Sequence, residues 1–241
     1  MELNFRLLTA EEIDCRVAQC NQYGVGLLLY KDARCDQNIL DETVGPMNWQ
    51  RHHTRENANC VVALWDEDKQ QWIEKEDTGT ESNTEKEKGL ASDSFKRACF
   101  NWGIGRELYT APNMFVLKKD LKTHKEAGEW QGKKKYTCND VFKVTDIQYN
   151  GKKIVYVRIL NLKTDKEIEF GTPAKEAREQ EKIENSVIDD AKKTVLLNLA
   201  KEKGVELAKV LQRYGLECLD DMTLVQWMGA MNALNKTEVK Q

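Results

Sequence analysis

Lys96, Arg97 and Phe100 lie within five residues of one another on a segment that reads as a helix. Two cations around an aromatic ring suit a strand of nucleic acid: cations neutralise phosphates, and a flat apolar face accepts a base. The arginine adds a planar guanidinium that can fork onto a phosphate or stack on a base. A phenylalanine on a basic helix face also fits a subunit interface, and both readings stand at this point. Other chemistries find less footing. Gly128-Glu129-Trp130-Gln131-Gly132-Lys133-Lys134 has one residue fewer between its glycines than a phosphate loop requires, and Lys134 stands where a magnesium-binding Ser or Thr is needed. Glu67-Asp68-Lys69 fits the E-x-K half of a metal-nuclease site, but it falls in a predicted hairpin turn, where charged residues are expected anyway. His52 and His53 are neighbours on a predicted strand and so point to opposite faces, which argues against a shared metal.

Periodicity and punctuation give the elements that must position these residues. Residues 85–102 read as the basic helix. Thr84 and Glu87 have capping-box spacing, Gly103 is a stop, and Ala91, Phe95, Ala98 and Trp102 recur so as to form one apolar stripe. Lys96 and Arg97 fall on either side of the opposite face, with Phe100 between them. Upstream, Thr9 and Glu12 predict a first helix over 9–20, and a second covers 34–44 up to Gly45-Pro46. Strands follow at 48–55, 58–65 and 71–77, with turns at Glu56-Asn57 and Asp66–Lys69, and a polar loop from Thr78 to Asn83. Downstream, Leu108–Leu117 reads as extended, and strands at 135–149, 152–162 and 166–171 are joined by Asn150-Gly151 and Thr164-Asp165. Beyond Pro173 a charged helical linker spans 174–186. Helices then run from Val187 to Gly204, over 206–213, and over 224–235, the last opened by a Thr223–Gln226 capping box. Trp227 and Met231 on this last helix fit either the dock for a partner peptide or the core of a small bundle.

The chain has 241 residues, of which 40% are hydrophobic, enough for a substantial core, and 32% are charged. Its net charge of −3 hides an uneven distribution. Residues 66–87 hold nine acids against three bases, whereas 86–106 hold five bases, including Arg106, against two acids. Residues 118–135 hold seven lysines against three acids, a net +4. The seven cysteines are scattered without C-x-x-C spacing, which predicts free thiols in a reducing cytoplasm. No apolar run reaches membrane-spanning length, and the opening residues have no secretory h-region.

The stretch Ala91-Ser92-Asp93-Ser94-Phe95-Lys96-Arg97-Ala98-Cys99-Phe100-Asn101-Trp102-Gly103-Ile104-Gly105 resembles the signature helix of the Rad-fifty-two-type single-strand annealing proteins, in its bacteriophage and prophage branch with the Sak-type proteins. The preceding order is similar too: Ile13-Asp14-Cys15-Arg16, then Leu29-Tyr30, then Gly45-Pro46-Met47-Asn48-Trp49 and three strands. The resemblance spans roughly residues 5–117 and is strongest over 91–109. It implies a β-β-β-α core that assembles into homo-oligomeric rings or helical filaments, with single-stranded DNA in a groove and its bases outward. It further implies that Lys96 and Arg97 line that groove, with Arg16 at the end of the first helix and Tyr30 nearby. Phe100 stands where some members have a third groove arginine. Lys86, Lys88 and Lys69 are candidates for a second, outer DNA site.

The expectations are these. The fold is α+β: a β-β-β-α core with an extended antiparallel region over 1–172, a linker over 173–182, and a helical domain over 183–241. The chain anneals complementary single strands in recombination and repair, in a bacterial or phage-infected cytoplasm, with no cofactor, no catalytic residue and no metal. Its DNA-binding residues are Lys96, Arg97, Arg16, Tyr30, Phe100 and Arg106. The helical domain binds a single-strand-binding protein or a phage exonuclease through Trp227 and Met231. The alternatives are a mediator that loads a RecA-like recombinase and a metal-dependent nuclease built on Asp66–Lys69.

Overall fold

A computed structural model describes residues 3–80 and 86–237, and Thr84 of the expected capping box lies outside them. The chain is α+β and divides after Ala174 into two compact units.

The first departure from expectation comes at once. The Thr9–Glu12 pairing forms, with the Thr9 N–H donating to the Glu12 carboxylate at 2.9 Å, but it opens only a single 3-10 turn over Ala10–Glu12. Residues Ile13–Asn21 then form strand β1 instead of a helix. Ile13, Cys15 and Val17 turn inward while Asp14 and Arg16 turn out, a period of two that pairing with the next strand selects over local helix propensity. That strand, β2 (Gly24–Lys31), pairs antiparallel with β1, Ile13 opposite Lys31 and Arg16 opposite Leu28. Its inward residues are Val25, Leu27, Leu29 and, at the end of the same alternation, Lys31.

Helix α1 (Ala33–Val44) is capped by Asp32, whose carboxylate accepts the Arg34 N–H at 2.8 Å, and it ends at Gly45. Strands β3 (Trp49–Thr54), β4 (Asn59–Asp66) and β5 (Gln71–Thr78) follow as an antiparallel sheet in that order, and helix α2 (Lys86–Trp102) packs across it. This is the β-β-β-α unit. Phe95, Ala98 and Cys99 of α2 are fully buried in one cluster with Cys60, Val62 and Leu64 of β4 and Ile39 and Leu40 of α1. Trp102 reaches the sheet with its indole, which donates to the Val62 carbonyl at 3.0 Å. The chain leaving β5 crosses α2 so closely that a Cβ on Gly79 would lie 2.5 Å from the Ser94 nitrogen.

Beyond a 3-10 turn over Arg106–Thr110, the region expected to be extended keeps only a short strand, β6 (Phe115–Leu117). Strands β7 (Lys125–Trp130) and β8 (Lys133–Thr137) make a separate two-stranded ribbon, so the glycine-containing stretch rejected as a phosphate loop is a hairpin. The single strand expected over 135–149 is therefore two: β8 stops at Thr137 and β9 (Phe142–Asn150) starts afresh. The break is made by Asp140, which accepts the Lys122 and Thr123 N–H groups at 2.9 Å and the Asn161 amide at 2.8 Å. Burial acts to raise the Asp140 carboxyl, yet the Thr123 and Asn161 side chains and these two N–H donors hold it at about 2. Strands β10 (Lys153–Asn161) and β11 (Lys166–Gly171) complete a six-stranded sheet of order β11-β10-β9-β1-β2-β6.

The second unit holds α3 (Ala174–Glu184), α4 (Asp190–Glu202), α5 (Leu207–Arg213) and α6 (Leu224–Asn235). Its core gathers Ile188, Leu196, Ala200, Val210, Met222, Ala230 and Leu234. The Thr223–Gln226 capping box is present. Among the described residues no helix is long and apolar enough to cross a membrane.

The crossing at Gly79 yields a prediction. Gly79→Ala forces β5 away from α2 and lowers stability by about 1–3 kcal/mol. Urea unfolding should show a lower midpoint at unchanged slope; an unaltered midpoint would mean that the crossing relaxes freely.

Candidate functional site

Two strands, a helix and a 3-10 turn converge on a cleft of about 250 Å³. From β1 comes Arg16, and from β2 come Leu28 and Tyr30, all on the outward face of the hairpin. Helix α2 contributes Asp93, Lys96 and Phe100 at successive turns of one edge. Leu108 and Tyr109 of the 3-10 turn close the far wall. Four of the expected residues, Arg16, Tyr30, Lys96 and Phe100, thus meet in one place. Arg16 arrives from a strand and not from the end of a helix, which corrects its expected setting.

The floor of the cleft is an ion pair. Lys31 is 2% exposed and Asp36 is fully buried, and their side chains are in direct contact. Burial pushes the Asp36 carboxyl up to about 6, with Lys31 pulling in the opposite direction. The second Asp36 oxygen has no hydrogen-bond partner among the described residues. Phe100 lies over the pair, its ring centroid 4.6 Å from Lys31 Nζ, and Tyr109 meets the Phe100 ring edge-on at 5.3 Å. Gly105 passes beneath, where a Cβ would overlap the Lys31 side chain. Phe100 is therefore a half-buried wall and lid, while Tyr30 and, more so, Tyr109 show their rings to solvent.

The two other expected cations are engaged elsewhere. Arg97 reaches toward β5, its Nε 3.3 Å from the Asp77 carboxylate, which Asn101 also approaches. Arg106 folds back on α2 and donates to the Phe100 carbonyl at 2.6 Å, which also accepts the Gly103 N–H, so its cation sits at the negative end of the helix. Neither lines the cleft. The remaining aromatics of α2 are likewise paired with cations from the strands, Arg51 of β3 over Phe95 at 4.4 Å and Lys75 of β5 over Trp102 at 4.2 Å.

For the proposed outer site, Lys88 is exposed on the first turns of α2, and the side chain of Lys86 lies outside the described residues. Lys69 closes the β4–β5 turn through an ion pair with Asp66 at 3.3 Å, and Glu67 accepts the Trp65 indole N–H at 2.8 Å. His52 and His53 do point to opposite faces: His52 is exposed, and His53 sits 3.4 Å from the Ser94 hydroxyl. In the second unit, Trp227 and Met231 pack against the helical core, and the Trp227 indole donates to the Lys192 carbonyl at 2.9 Å. The large apolar residues that α6 leaves exposed are Val225 and Met228.

Tyr109 and Lys31 are the aromatic and the cation of the cleft that sequence reasoning missed, along with apolar lining such as Leu28 and Leu108. An aromatic four residues beyond Gly105 was a usable sign for Tyr109. Lys31 had no such sign: Leu27-Leu28-Leu29 is an unbroken apolar run, and the alternation that carries the lysine inward shows only in the burial of β2.

The buried pair generates two expectations. Asp36→Ala strands an uncompensated lysine and should cost about 3–5 kcal/mol, whereas Lys31→Met with Asp36→Leu should be neutral or stabilising. The Asp36 carboxyl binds its proton more tightly in the folded chain than in the unfolded one. Its contribution to stability is therefore full below about pH 4 and is lost as pH rises through about 6. Denaturation midpoints measured from pH 4 to 7 should show this descent in the wild type and lack it in Asp36→Asn.

No protein-family model, no curated protein and no solved structure matches this chain.

Proposed function

We propose that the chain binds single-stranded DNA in the β1–β2–α2 cleft and promotes pairing of complementary strands, without consuming a nucleotide, as the Rad-fifty-two-type proteins that its α2 sequence resembles do. One observation carries this reading: Arg16, Tyr30, Lys96 and Phe100, far apart in sequence, share a single cleft. Arg16 and Lys96 supply charge for the phosphates, and Tyr30 and Tyr109 supply flat faces for bases. A strand neutralised along one edge keeps its base edges free. Two such complexes then pair, driven by about 1.4 kcal/mol per stacked step. The working form is a homo-oligomer in a bacterial cytoplasm, so that many clefts align one strand. The helical unit takes a protein partner, a single-strand-binding protein or a phage exonuclease, through the exposed Val225 and Met228 of α6 and not through Trp227 and Met231. The nuclease alternative draws less support, since Lys69 and Glu67 are tied up within their own turn.

Fluorescence anisotropy with a labelled oligonucleotide tests the cleft. Arg16→Ala and Lys96→Ala should each weaken binding and each reduce the salt slope by about 0.7. Tyr30→Ala and Tyr109→Ala should each cost about 1–3 kcal/mol with the slope unchanged. Arg97→Ala, already paired with Asp77, should matter less than Lys96→Ala. Full affinity in Lys96→Ala would sink the reading.

A further inference from the structure

The β7–β8 ribbon carries its charge on one side. Residues opposite one another in the register share a face. Lys125 stands opposite Thr137, Gly128 opposite Lys135, and Trp130 opposite Lys133, so Lys125, Lys133 and Lys135 occupy one face. Glu126 opposite Tyr136 and Glu129 opposite Lys134 occupy the other. The register shift between Glu126 and Gly128 creates this division. Had the register of Lys125 and Glu126 continued without the shift, Glu129 would stand opposite Lys133 on the lysine face.

The acidic face, with two glutamates against one lysine, is partly neutralised and is anchored. Lys134 Nζ lies 3.0 Å from the Glu126 carboxylate. Tyr136 stacks on His124 at 5.6 Å, and His124 Nε2 is 2.8 Å from the Asn21 carbonyl at the end of β1. The lysine face has no ribbon carboxylate on it, and its three lysines are exposed. Lys133 and Lys135 are two strand positions apart, about 7 Å. A regular row of cations suits a regular row of phosphates, and the major groove of B-form DNA admits a two-stranded ribbon.

We propose that the β7–β8 ribbon is an arm that binds duplex DNA, with Lys125, Lys133 and Lys135 laid against its phosphates. The contact is with the backbone and is independent of base sequence. It is distinct from the cleft and stands whether or not the cleft takes a single strand. If both act, the arm holds the duplex that pairing creates.

The test uses the full chain and a labelled duplex of about two helical turns in a salt titration. Lys125→Gln/Lys133→Gln/Lys135→Gln should weaken duplex binding by about tenfold or more and lower the salt slope by about 2–3. Replacing the same three lysines with arginine should preserve it, and Lys134→Gln, on the opposite face, should change little. A short single strand, which reports on the cleft, should bind the glutamine triple as it binds the wild type, whereas Lys96→Ala should lose the short strand and keep the duplex. Unchanged duplex affinity in the glutamine triple would overturn the proposal. So would equal displacement of the duplex by polyglutamate, which would make the partner an acidic protein.

Discussion

Lys31 is carried into the core by the strand it ends. The alternation that buries Val25, Leu27 and Leu29 leaves the next inward position to a lysine, and Asp36 in the first turn and a half of α1 answers it. Such a pair contributes little net stability, because two desolvation costs offset the attraction. What it does contribute is position. The pair ties α1 to the end of β2, and Phe100 and Gly105 pack closely against the lysine. With Lys31 held inward, Tyr30 must face outward beside Arg16, and Phe100 is held where Lys96 enters the same cleft. The site is thus arranged by a charge pair that a ligand in the cleft does not need to touch.

Helix α2 shows how much positive charge a fold can use internally. Phe95, Phe100 and Trp102 each carry a cation from a different strand, Arg51, Lys31 and Lys75 respectively. Arg97 and Arg106 are bound to β5 and to the helix's own end. A basic count over a segment therefore overstates what remains for an external anion. Lys96 and Arg16 are the expected cations that do open on the cleft.

Much of this was legible beforehand. The three strands, the apolar stripe around Phe95 and Ala98, and the last capping box follow from local periodicity and punctuation, and they are where expected. The failures share a cause. Thr9 and Glu12 signalled a helix start, but pairing of β1 with β2 and β9 decided the conformation of residues 13–21. Arg97 looked available because Asp77, twenty positions earlier, could not be seen to reach it. The break at Asp140 depends on donors from residues 122, 123 and 161, contacts that no local window contains. Nor could the sequence display the Lys192 carbonyl, thirty-five positions earlier, that accepts the Trp227 indole N–H.

The layer between β4 and α2 has one more property. Cys60 and Cys99 are both fully buried there, and burial pushes the Cys60 thiol up to about 11 and the Cys99 thiol well up as well. Neither offers a thiolate to a reagent while the layer stays closed. Cys218, in the helical unit, is exposed. The chain therefore carries its own clock: an alkylating probe meets Cys218 at once, and it reaches Cys60 and Cys99 only in the moments when the helix lifts from the sheet. Followed at Cys60 and Cys99 themselves, apart from the four half-buried thiols, the slow phase of such a reaction counts how often the scaffold beneath the cleft comes apart, in a protein of unaltered sequence.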